Sequence, residues 1–303
     1  MLLGYNTNGF PHHRPAEAVA LLAGIGYRSV AITVDHHCLD PYSPRLDEEV
    51  GRMRELLASL GLRCVVETGA RFLLDPRAKH EPTLMTADPA GRARRVDFLR
   101  RCVDIAAALG ADALSFWSGT LRDDAPEEGA FARLVEGCRA VLERAREKNV
   151  PLAFEPEPGM FIETMEQYAR LLERAGWAAP TNQGDPTHEK RWAQPPPRGP
   201  LFGLTLDIGH LHCVEDEPIP AHVRRWKDRL VNVHIEDMQK GTHEHLMFGE
   251  GTIDFPPVLA ALAEIGYAGG VHVELSRHGH AAPQAARQAF DFLSAALGRP
   301  GIP

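Results

Sequence analysis

Four segments in the second half of the chain each end an apolar run with a side chain that can bind a metal ion. The segments are Leu-Ala-Phe-Glu155, Leu-Thr-Leu-Asp207, Val-Asn-Val-His234 and Val-His-Val-Glu274. Each is short and rich in residues that favour β-strands, and the carboxylate or imidazole stands at its C-terminal end. In a parallel barrel the C-terminal ends of all strands open into one mouth, so four such side chains can meet around one ion. The pattern predicts a metalloenzyme.

Short apolar runs alternate with longer amphipathic runs along the whole chain, which is typical of alternating strands and helices. The predicted strands are residues 2–6, 29–34, 62–67, 113–117, 150–155, 201–207, 230–235 and 269–274. The predicted helices are residues 16–25, 46–60, 90–109, 128–148, 162–175, 221–227, 256–265 and 283–297. Eight βα units favour an α/β fold with a single (β/α)8 TIM barrel over residues 1–303. An open dinucleotide-binding sheet is disfavoured, because no Gly-x-Gly-x-x-Gly turn follows the first strand.

Two long connections interrupt this alternation. Residues 68–89 follow the third strand, so they lie on the catalytic face of the predicted barrel and are the better candidate for a lid. Residues 177–200 are rich in proline and precede the sixth strand, which places them on the opposite face. The second connection is interpreted as an exposed insertion or a contact in a homo-oligomer.

Charge and composition exclude several classes of protein. The net charge of -8 argues against an extended nucleic-acid surface, so no nucleic-acid partner is expected. The chain contains no run of 18 apolar residues, and its N-terminus lacks the basic and apolar regions of a signal peptide, so no membrane association is expected. Five cysteines without a Cys-x-x-Cys pair favour a reduced, cytoplasmic protein.

Five motifs carry a resemblance to a known family. They are Phe154-Glu155-Pro156, Leu206-Asp207-Ile208-Gly209-His210, Val233-His234-Ile235-Glu236-Asp237, Val273-Glu274, and the stretch from His245 through Gly249-Glu250-Gly251 to Asp254-Phe255. Their order and spacing resemble the xylose isomerase-like TIM-barrel superfamily. Its members include sugar isomerases and epimerases, dehydratases and apurinic endonucleases. The resemblance covers nearly the whole chain.

The resemblance implies that Glu155, Asp207, His234 and Glu274 bind one divalent ion. It also implies that Glu155 and Glu274 act as an acid–base pair on opposite faces of the substrate. His210 resembles a histidine that contacts a substrate oxygen or, in relatives with several metals, a second ion. An oxygen-rich ligand set fits Mn²⁺, Mg²⁺ or Co²⁺ better than Zn²⁺, although Zn²⁺ is tolerated. Such an ion acidifies the C–H between a carbonyl and its neighbouring hydroxyl and stabilises the resulting enediolate.

Further polar residues are expected at the same mouth. The predicted substrate-binding residues are His210, Lys240, His245, Asn6, His12 and Glu157. Glu157 is also an alternative metal ligand, because residues two apart at a strand end share a face. At least one of His12, His13, His36 and His37 is expected to contact substrate. Glu236 and Asp237 either orient the ligands or are solvated loop acids.

Two sets of departures from the family pattern and one further resemblance bear on the choice of branch. Phe161 and Lys240 stand where sugar epimerases of this kind usually carry a glutamate and an arginine. Thr68 and Trp117 stand at the ends of the third and fourth strands, where the endonuclease branch has histidines. Conversely, His243-Glu-His245 with its following glycines resembles the endonuclease pattern, although the H-x-x-x-G-x-G element is common to both branches.

The sequence therefore predicts a metal-dependent isomerase or epimerase of a small sugar or polyhydroxy carbonyl compound. The first alternative is a lyase that dehydrates a cyclitol ketone or a dehydroshikimate-like acid, which Lys240 or Arg71 binding a carboxylate would favour. A phosphodiesterase with several metals, acting on damaged DNA, is disfavoured by the missing histidines and the negative charge. A barrel that only binds a ligand is disfavoured by the complete set of four ligands, since buried carboxylates repel one another without an ion.

Overall fold

Eight parallel strands close into a barrel in the computed structural model, which describes residues 1–178 and 200–298. The barrel strands are β1 (Leu2–Asn6), β2 (Ser29–Thr33), β3 (Arg63–Glu67), β4 (Leu114–Trp117), β5 (Leu152–Glu155), β6 (Phe202–Asp207), β7 (Leu230–Ile235) and β10 (Gly270–Val273). Each strand pairs with its neighbours in chain order, and β10 closes the barrel against β1. The predicted (β/α)8 TIM barrel is confirmed.

Helices surround the barrel and cover its outer face. They are α1 (Pro15–Ile25), α2 (Leu46–Leu60), α3 (Pro89–Leu109), α4 (Glu127–Lys148), α5 (Met165–Ala175), α6 (Ile208–Val214), α7 (Ile219–Arg225), α8 (Phe255–Glu264) and α9 (Ala282–Ala296). The predicted glycine stops at Gly61 and Gly110 are left-handed C-caps. Within the described ranges, no helix combines the length and the apolarity that crossing a bilayer requires.

The structure corrects three parts of the predicted element pattern. Helix α5 begins at Met165 rather than at residue 162, because Thr164 and Gln167 form a capping box that fixes its first turn. Helix α6 follows β6 directly and was not among the predicted helices. A hairpin of β8 (Asp237–Gln239) and β9 (Thr242–Leu246) follows β7 and was also not predicted. Most of the proline-rich segment, residues 179–199, lies outside the described residues.

The barrel interior beneath the mouth holds a polar network rather than only aliphatic side chains. Ser29 Oγ contacts His272 Nε2 at 2.8 Å, and His272 Nδ1 contacts Asn232 Oδ1 at 2.8 Å. The Oγ atoms of Ser115 and Thr205 lie 2.9 Å apart. All five residues are fully buried. Because buried polar groups with satisfied hydrogen bonds have few alternative arrangements, this network fixes the strand ends above it.

The five cysteines are expected to differ sharply in reactivity. Cys38, Cys64, Cys102 and Cys138 are buried, and burial raises the pKa of the Cys38 and Cys64 thiols to about 12. Cys213 is partly exposed. Since the thiolate is the reactive form, a thiol reagent should modify about one cysteine per folded chain and all five after denaturation. Mass spectrometry of the labelled protein locates the modified residue. Rapid labelling of several cysteines in the folded chain would contradict this packing.

Candidate metal centre and active site

The four predicted metal ligands converge at the mouth of the barrel. One ligand atom from each of Glu155, Asp207, His234 and Glu274 lies within 4.8 Å of the others. His234 Nδ1 is 3.0 Å from Glu155 Oε1, 3.0 Å from Glu274 Oε2 and 3.8 Å from Asp207 Oδ2. Asp207 Oδ2 is buried and has no hydrogen-bond partner among the described residues. Three carboxylates and an imidazole at this spacing are a donor set that fits a divalent ion.

His234 is oriented by contacts on the other side of its ring. Its Nε2 atom lies 2.9 Å from Glu67 Oε1, so Nε2–H donates to this carboxylate and leaves Nδ1 free for an ion. Asn232 Nδ2 lies 3.3 Å from the same Glu67 oxygen, which connects the pair to the polar network below. The predicted strand 62–67 ends at Glu67, as does β3 in the structure, but the sequence analysis assigned this residue no role and compared only Thr68 with the endonuclease histidines.

Removing the Glu67 charge is expected to weaken metal binding. A Glu67→Gln variant keeps the size of the side chain but replaces a charged acceptor for His234 Nε2–H by a neutral one. Loss of such a partner lowers metal affinity about 10- to 100-fold. Metal titration followed by calorimetry measures the change, and Glu81→Gln, a carboxylate paired with Arg122 away from the ligands, is the matched control. Equal affinity in Glu67→Gln and in the unaltered protein would show that Glu67 does not orient His234.

The pKa values of Glu155, His234 and Glu274 depend on burial and on the charges that these residues place beside one another. Burial raises the pKa of Glu155 well above its usual range. Burial also opposes charge on His234, but the carboxylates of Glu155, Glu67 and Glu274 outweigh it and raise the pKa of His234. The facing His234 in turn outweighs burial at Glu274 and lowers the pKa of that carboxyl. Protons therefore occupy positions that an ion would take, and binding of a metal must release them.

The four-residue group borders a cavity of about 1060 Å³, counted with its open entrance, and three of its members line that cavity. The predicted residues Asn6, Glu157, His210 and His245 line this cavity, as do Glu155, His234 and Glu274. Asn6 follows its expected placement at the end of β1. Glu157 lines the wall outside the four-residue group, so the geometry favours Glu155 as the ligand. Burial and the nearby Glu274 raise the pKa of Glu157 to about 7.

Three histidines form a second cluster beside the four-residue group. His210, His243 and His245 each have a ring nitrogen within 4.8 Å of the others. His210 lies on α6, directly after the Asp207 cap, whereas the β8–β9 hairpin brings the other two histidines back to the cavity. Burial lowers the pKa of His210 to about 4, so its ring is neutral at pH 7. Burial also acts against charge on His245, but the Glu236 carboxylate outweighs it and raises that pKa to about 10.

The two acids that follow His234 have structural positions. Glu236 is fully buried, and its Oε2 lies 3.8 Å from His245 Nδ1. A Cβ atom at Gly209 would lie 2.0 Å from Glu236 Oε1, so the glycine of α6 makes room for this carboxylate. Asp237 accepts hydrogen bonds from the backbone amides of Gly249 and Gly251. Neither acid is a solvated loop residue, and Asp237 holds the Gly249–Gly251 turn in place.

Two predicted substrate-binding residues do not reach the cavity. His12 is exposed and lies outside the lining. Lys240 stands at the turn of the β8–β9 hairpin, and its ammonium group contacts the backbone oxygen of Glu215. The geometry does not support substrate contact for either residue. Phe161 packs against Phe131 with ring centroids 5.0 Å apart and likewise lies outside the cavity lining.

The histidine pairs near the first two strands lie to one side of the cavity. None of His12, His13, His36 and His37 lines it. His13 and His37 instead line a small neighbouring cleft together with Asp35 and Arg71. Three cavity residues lie on the β3–α3 connection. The sequence named Arg71 as the carboxylate-binding residue of the lyase alternative, whereas Lys79 and His80 were not predicted to bind substrate. Their position agrees with the expectation that residues 68–89 lie on the catalytic face.

A family model for the xylose isomerase-like TIM barrel matches residues 19–296. The chain belongs to this family. An L-ribulose-5-phosphate 3-epimerase of Escherichia coli is 24% identical over 291 residues, which cover 94% of this chain and 91% of that protein. The predicted resemblance is therefore confirmed.

Solved structures show the same fold at low sequence identity. A D-allulose 3-epimerase from Methylomonas sp., solved with D-allulose, is 21% identical with a TM-score of 0.71, covering 98% of this chain and 97% of that one. The IolI protein, solved with a bound zinc atom, is 18% identical with a TM-score of 0.74, covering 98% of each chain. In each comparison the shared barrel covers nearly the full length of this chain and of the other protein.

Proposed function

We propose that the protein is a divalent-metal-dependent sugar epimerase that acts on the carbon beside a ketose carbonyl. The observation that carries the proposal is the convergence of Glu155, Asp207, His234 and Glu274 within 4.8 Å beside a cavity that three of them line. The curated relatives support it, because the L-ribulose-5-phosphate 3-epimerase aligns with nearly the whole chain. The prediction of a sugar isomerase or epimerase agrees with these relatives.

The reaction needs one proton removed from carbon and one returned to the other face. A divalent ion held by the four residues would polarise a carbonyl and the adjacent hydroxyl and so acidify the C–H between them. Glu274 or Glu155 then accepts the proton, and the C–H electron pair moves towards the carbonyl oxygen to give an enediolate. The other glutamate donates a proton to the opposite face, which inverts the carbon. Each turnover exchanges the protonation states of the two glutamates, and proton exchange with solvent restores them before the next turnover in the same direction.

The histidine cluster fits the hydroxyl groups of the same substrate. His210 Nδ1 lies 3.6 Å from Glu155 Oε1, so a substrate oxygen near that carboxylate is also near the imidazole. A neutral imidazole can donate or accept a hydrogen bond, so these histidines can contact substrate hydroxyl groups in either role. Trp117 and Met160 line the cavity with apolar surface that covers the carbon chain. These residues orient the substrate without taking part in proton transfer.

The metal is proposed to be Mn²⁺, Mg²⁺ or Co²⁺, with Zn²⁺ tolerated. Three of the four donors are carboxylates, which favour hard divalent ions. A cytoplasmic location is part of the proposal, because all five cysteines are free and four of them are buried. The substrate is a small polyhydroxy compound, and the lyase alternative would use the same base and then expel a β-hydroxyl group.

The test is proton exchange with solvent. The protein, loaded with Mn²⁺, is incubated in D₂O with ketopentoses, ketohexoses and their phosphates, and NMR follows deuterium at the carbon beside the carbonyl. The proposal expects deuterium together with the epimeric sugar, and loss of both after chelation of the metal. A dehydrated product would favour the lyase. Absence of exchange from every sugar, with metal bound, would overturn the epimerase proposal.

A further inference from the structure

The charged side chains of the cavity are arranged in two layers. The carboxylates of Glu155 and Glu274 lie at strand ends on its floor. The lysine and arginine side chains among the described lining residues are Arg71, Lys79 and Arg277, and none of them stands on a strand. Arg71 and Lys79 come from the β3–α3 connection, and Arg277 follows β10. The lining carboxylates other than Glu157, which lies in the β5–α5 loop, stand at strand ends, whereas the three cations stand outside the strands.

The backbone of the β3–α3 connection is held so that Arg71 and Lys79 face the cavity. The amide of His80 donates to the Arg71 carbonyl oxygen at 2.6 Å, which closes the segment between them. The φ angles of Arg71 and His80 are 37° and 68°, in the left-handed region that side chains rarely adopt. Such conformations persist where surrounding contacts enforce them, and they concentrate at ligand-binding positions.

Two of these cations have hydrogen-bonding capacity that the protein does not use. Arg71 Nη2 donates to the Asn8 carbonyl oxygen at 3.0 Å, but its Nη1 is 3.6 Å from Asp35 Oδ2, which is too long for a hydrogen bond. Lys79 has neither an ion pair nor a hydrogen bond within the described parts of the chain. Arg71 and Asp35 are within ion-pair distance, but of the three cations only Arg277 donates a hydrogen bond to a described carboxylate, that of Glu244 at 2.6 Å. Arg71 and Lys79 thus have N–H donors free for a ligand in the cavity.

Arg71 is close to the reacting end of the cavity. The Asn8 residue that accepts its hydrogen bond donates from Nδ2 to Glu274 Oε1 at 2.9 Å. One residue therefore separates the guanidinium group from the proposed acid–base pair. The three carboxylates of the metal centre outweigh the two charges of a divalent ion, so the floor repels a second anion. An anionic substrate would have to enter with its carbonyl end first and leave its charged end at Arg71 and Lys79.

We infer that the substrate is an anionic sugar, whose phosphate ester or terminal carboxylate is bound by Arg71 and Lys79. The inference rests on the proposed epimerase function and adds a substrate class to it. An arginine can hold two oxygens of such a group at once, and a lysine adds a third, point-like contact. Both cations would then set the orientation of the sugar as well as its affinity.

The test compares three substrates that differ in one group. The kcat/KM of the metal-loaded protein is measured for a ketopentose, for its 5-phosphate and for the ketose with a carboxylate in place of the terminal alcohol. We expect a value at least about tenfold higher for one of the two anions than for the neutral sugar. Whichever anion is preferred identifies the group that is bound. Equal values for the neutral sugar and both anions would overturn the inference.

Variants then assign the preference to the two cations. Lys79→Met and Arg71→Met are each expected to raise KM for the preferred anion about tenfold and to lower the ratio of anionic to neutral kcat/KM. Lys227→Met is the matched control, since Lys227 is also exposed but precedes β7 on the opposite face of the barrel. An unchanged ratio in both cavity variants would overturn the assignment to these residues.

Direct binding separates this inference from the proposed function. If neither these three sugars nor any other ketose in the exchange screen is turned over, the epimerase proposal fails, and calorimetric binding of the sugar phosphate still decides the inference. Binding to the unaltered protein that is lost in Lys79→Met and Arg71→Met supports the anion site. No binding of either anion to the unaltered protein rejects it. Turnover of all three sugars without an anion preference would reject the inference and retain the epimerase.

Discussion

An Asp207→Asn variant is expected to lose metal binding and turnover while keeping its fold. Asp207 has two separate tasks. Its Oδ1 accepts a hydrogen bond from the His210 amide at 2.7 Å and caps α6, whereas its buried Oδ2 faces the other ligands without a hydrogen-bond partner. An asparagine can retain the cap through its carbonyl oxygen. It cannot supply the second anionic oxygen, so metal affinity should fall by more than the roughly 10- to 100-fold typical of an outer partner.

The choice of asparagine separates the loss of a ligand from the loss of a helix cap. An alanine at position 207 would also remove the cap, which costs about 1 kcal/mol of stability. Asp88→Asn is the matched control, because Asp88 caps α3 through the amides of Ala90 and Gly91 away from the site. We expect full metal binding and turnover in Asp88→Asn, and neither in Asp207→Asn. Unchanged metal content in Asp207→Asn would refute the proposed metal centre.

A Glu274→Gln variant is expected to separate proton exchange from inversion. The glutamine can keep the hydrogen bond from Asn8 through its carbonyl oxygen, but it cannot accept a proton from carbon. Loss of a general base lowers turnover by about 10²- to 10⁴-fold. Because Glu155 remains on the other face, the variant saturated with metal should still exchange the proton of one epimer with solvent. Interconversion of the two epimers should stop. NMR in D₂O, started separately from each epimer, measures both processes.

The expected result for Glu274→Gln depends on which epimer the reaction starts from. It therefore distinguishes the loss of one base from a general loss of activity. Glu155→Gln is expected to show the complementary pattern, with exchange from the other epimer only. Glu264→Gln is the control, since Glu264 pairs with Arg224 on the outer face of the barrel. Full turnover in Glu274→Gln would show that Glu274 is a ligand only and has no part in proton transfer.

The fold and the four ligands were predictable because their signals are local. Each ligand ends a short apolar run, and in a parallel barrel such ends meet at one mouth whatever the loops do. Glu67 carries the same signal at the end of β3. No role was assigned to it, although the predicted strand 62–67 also ends at this residue. Its role depends on a contact with His234, which lies 167 residues further along the chain, and the sequence does not show that contact.

The β8–β9 hairpin shows where reasoning from the sequence fails. Its strand Thr242–Leu246 is polar and partly exposed, so it lacks the apolar alternation that indicates a strand. The hairpin nevertheless returns His243 and His245 to the cavity and places Lys240 at its turn, away from the cavity. The comparison of Lys240 with the arginine of sugar epimerases assumed that the backbone after His234 follows the same path as in those proteins. Only the backbone path decides which of these side chains can reach a substrate.

The cations of the β3–α3 connection illustrate a second limit. The position of residues 68–89 on the catalytic face followed from their place after a strand. The orientation of Arg71 and Lys79 depends on the closure between Arg71 and His80 and on positive φ angles at both residues. Nothing in a polar loop sequence predicts such angles for residues that carry a Cβ atom. The sequence named Arg71 only as a carboxylate-binding residue of the lyase alternative, and its pairing with Lys79 in one cavity comes from the structure.

Elemental analysis of the purified protein, with metal counted per chain, tests the central claim most directly. The protein is incubated with Mn²⁺, Mg²⁺, Co²⁺ or Zn²⁺ and freed of excess metal before measurement. The account predicts about one ion per chain, retained in Asp88→Asn and lost in Asp207→Asn. No ion retained under any of these conditions would contradict the metal centre. Two or three ions would contradict the single-ion account and would bring His210, His243 and His245 in as ligands.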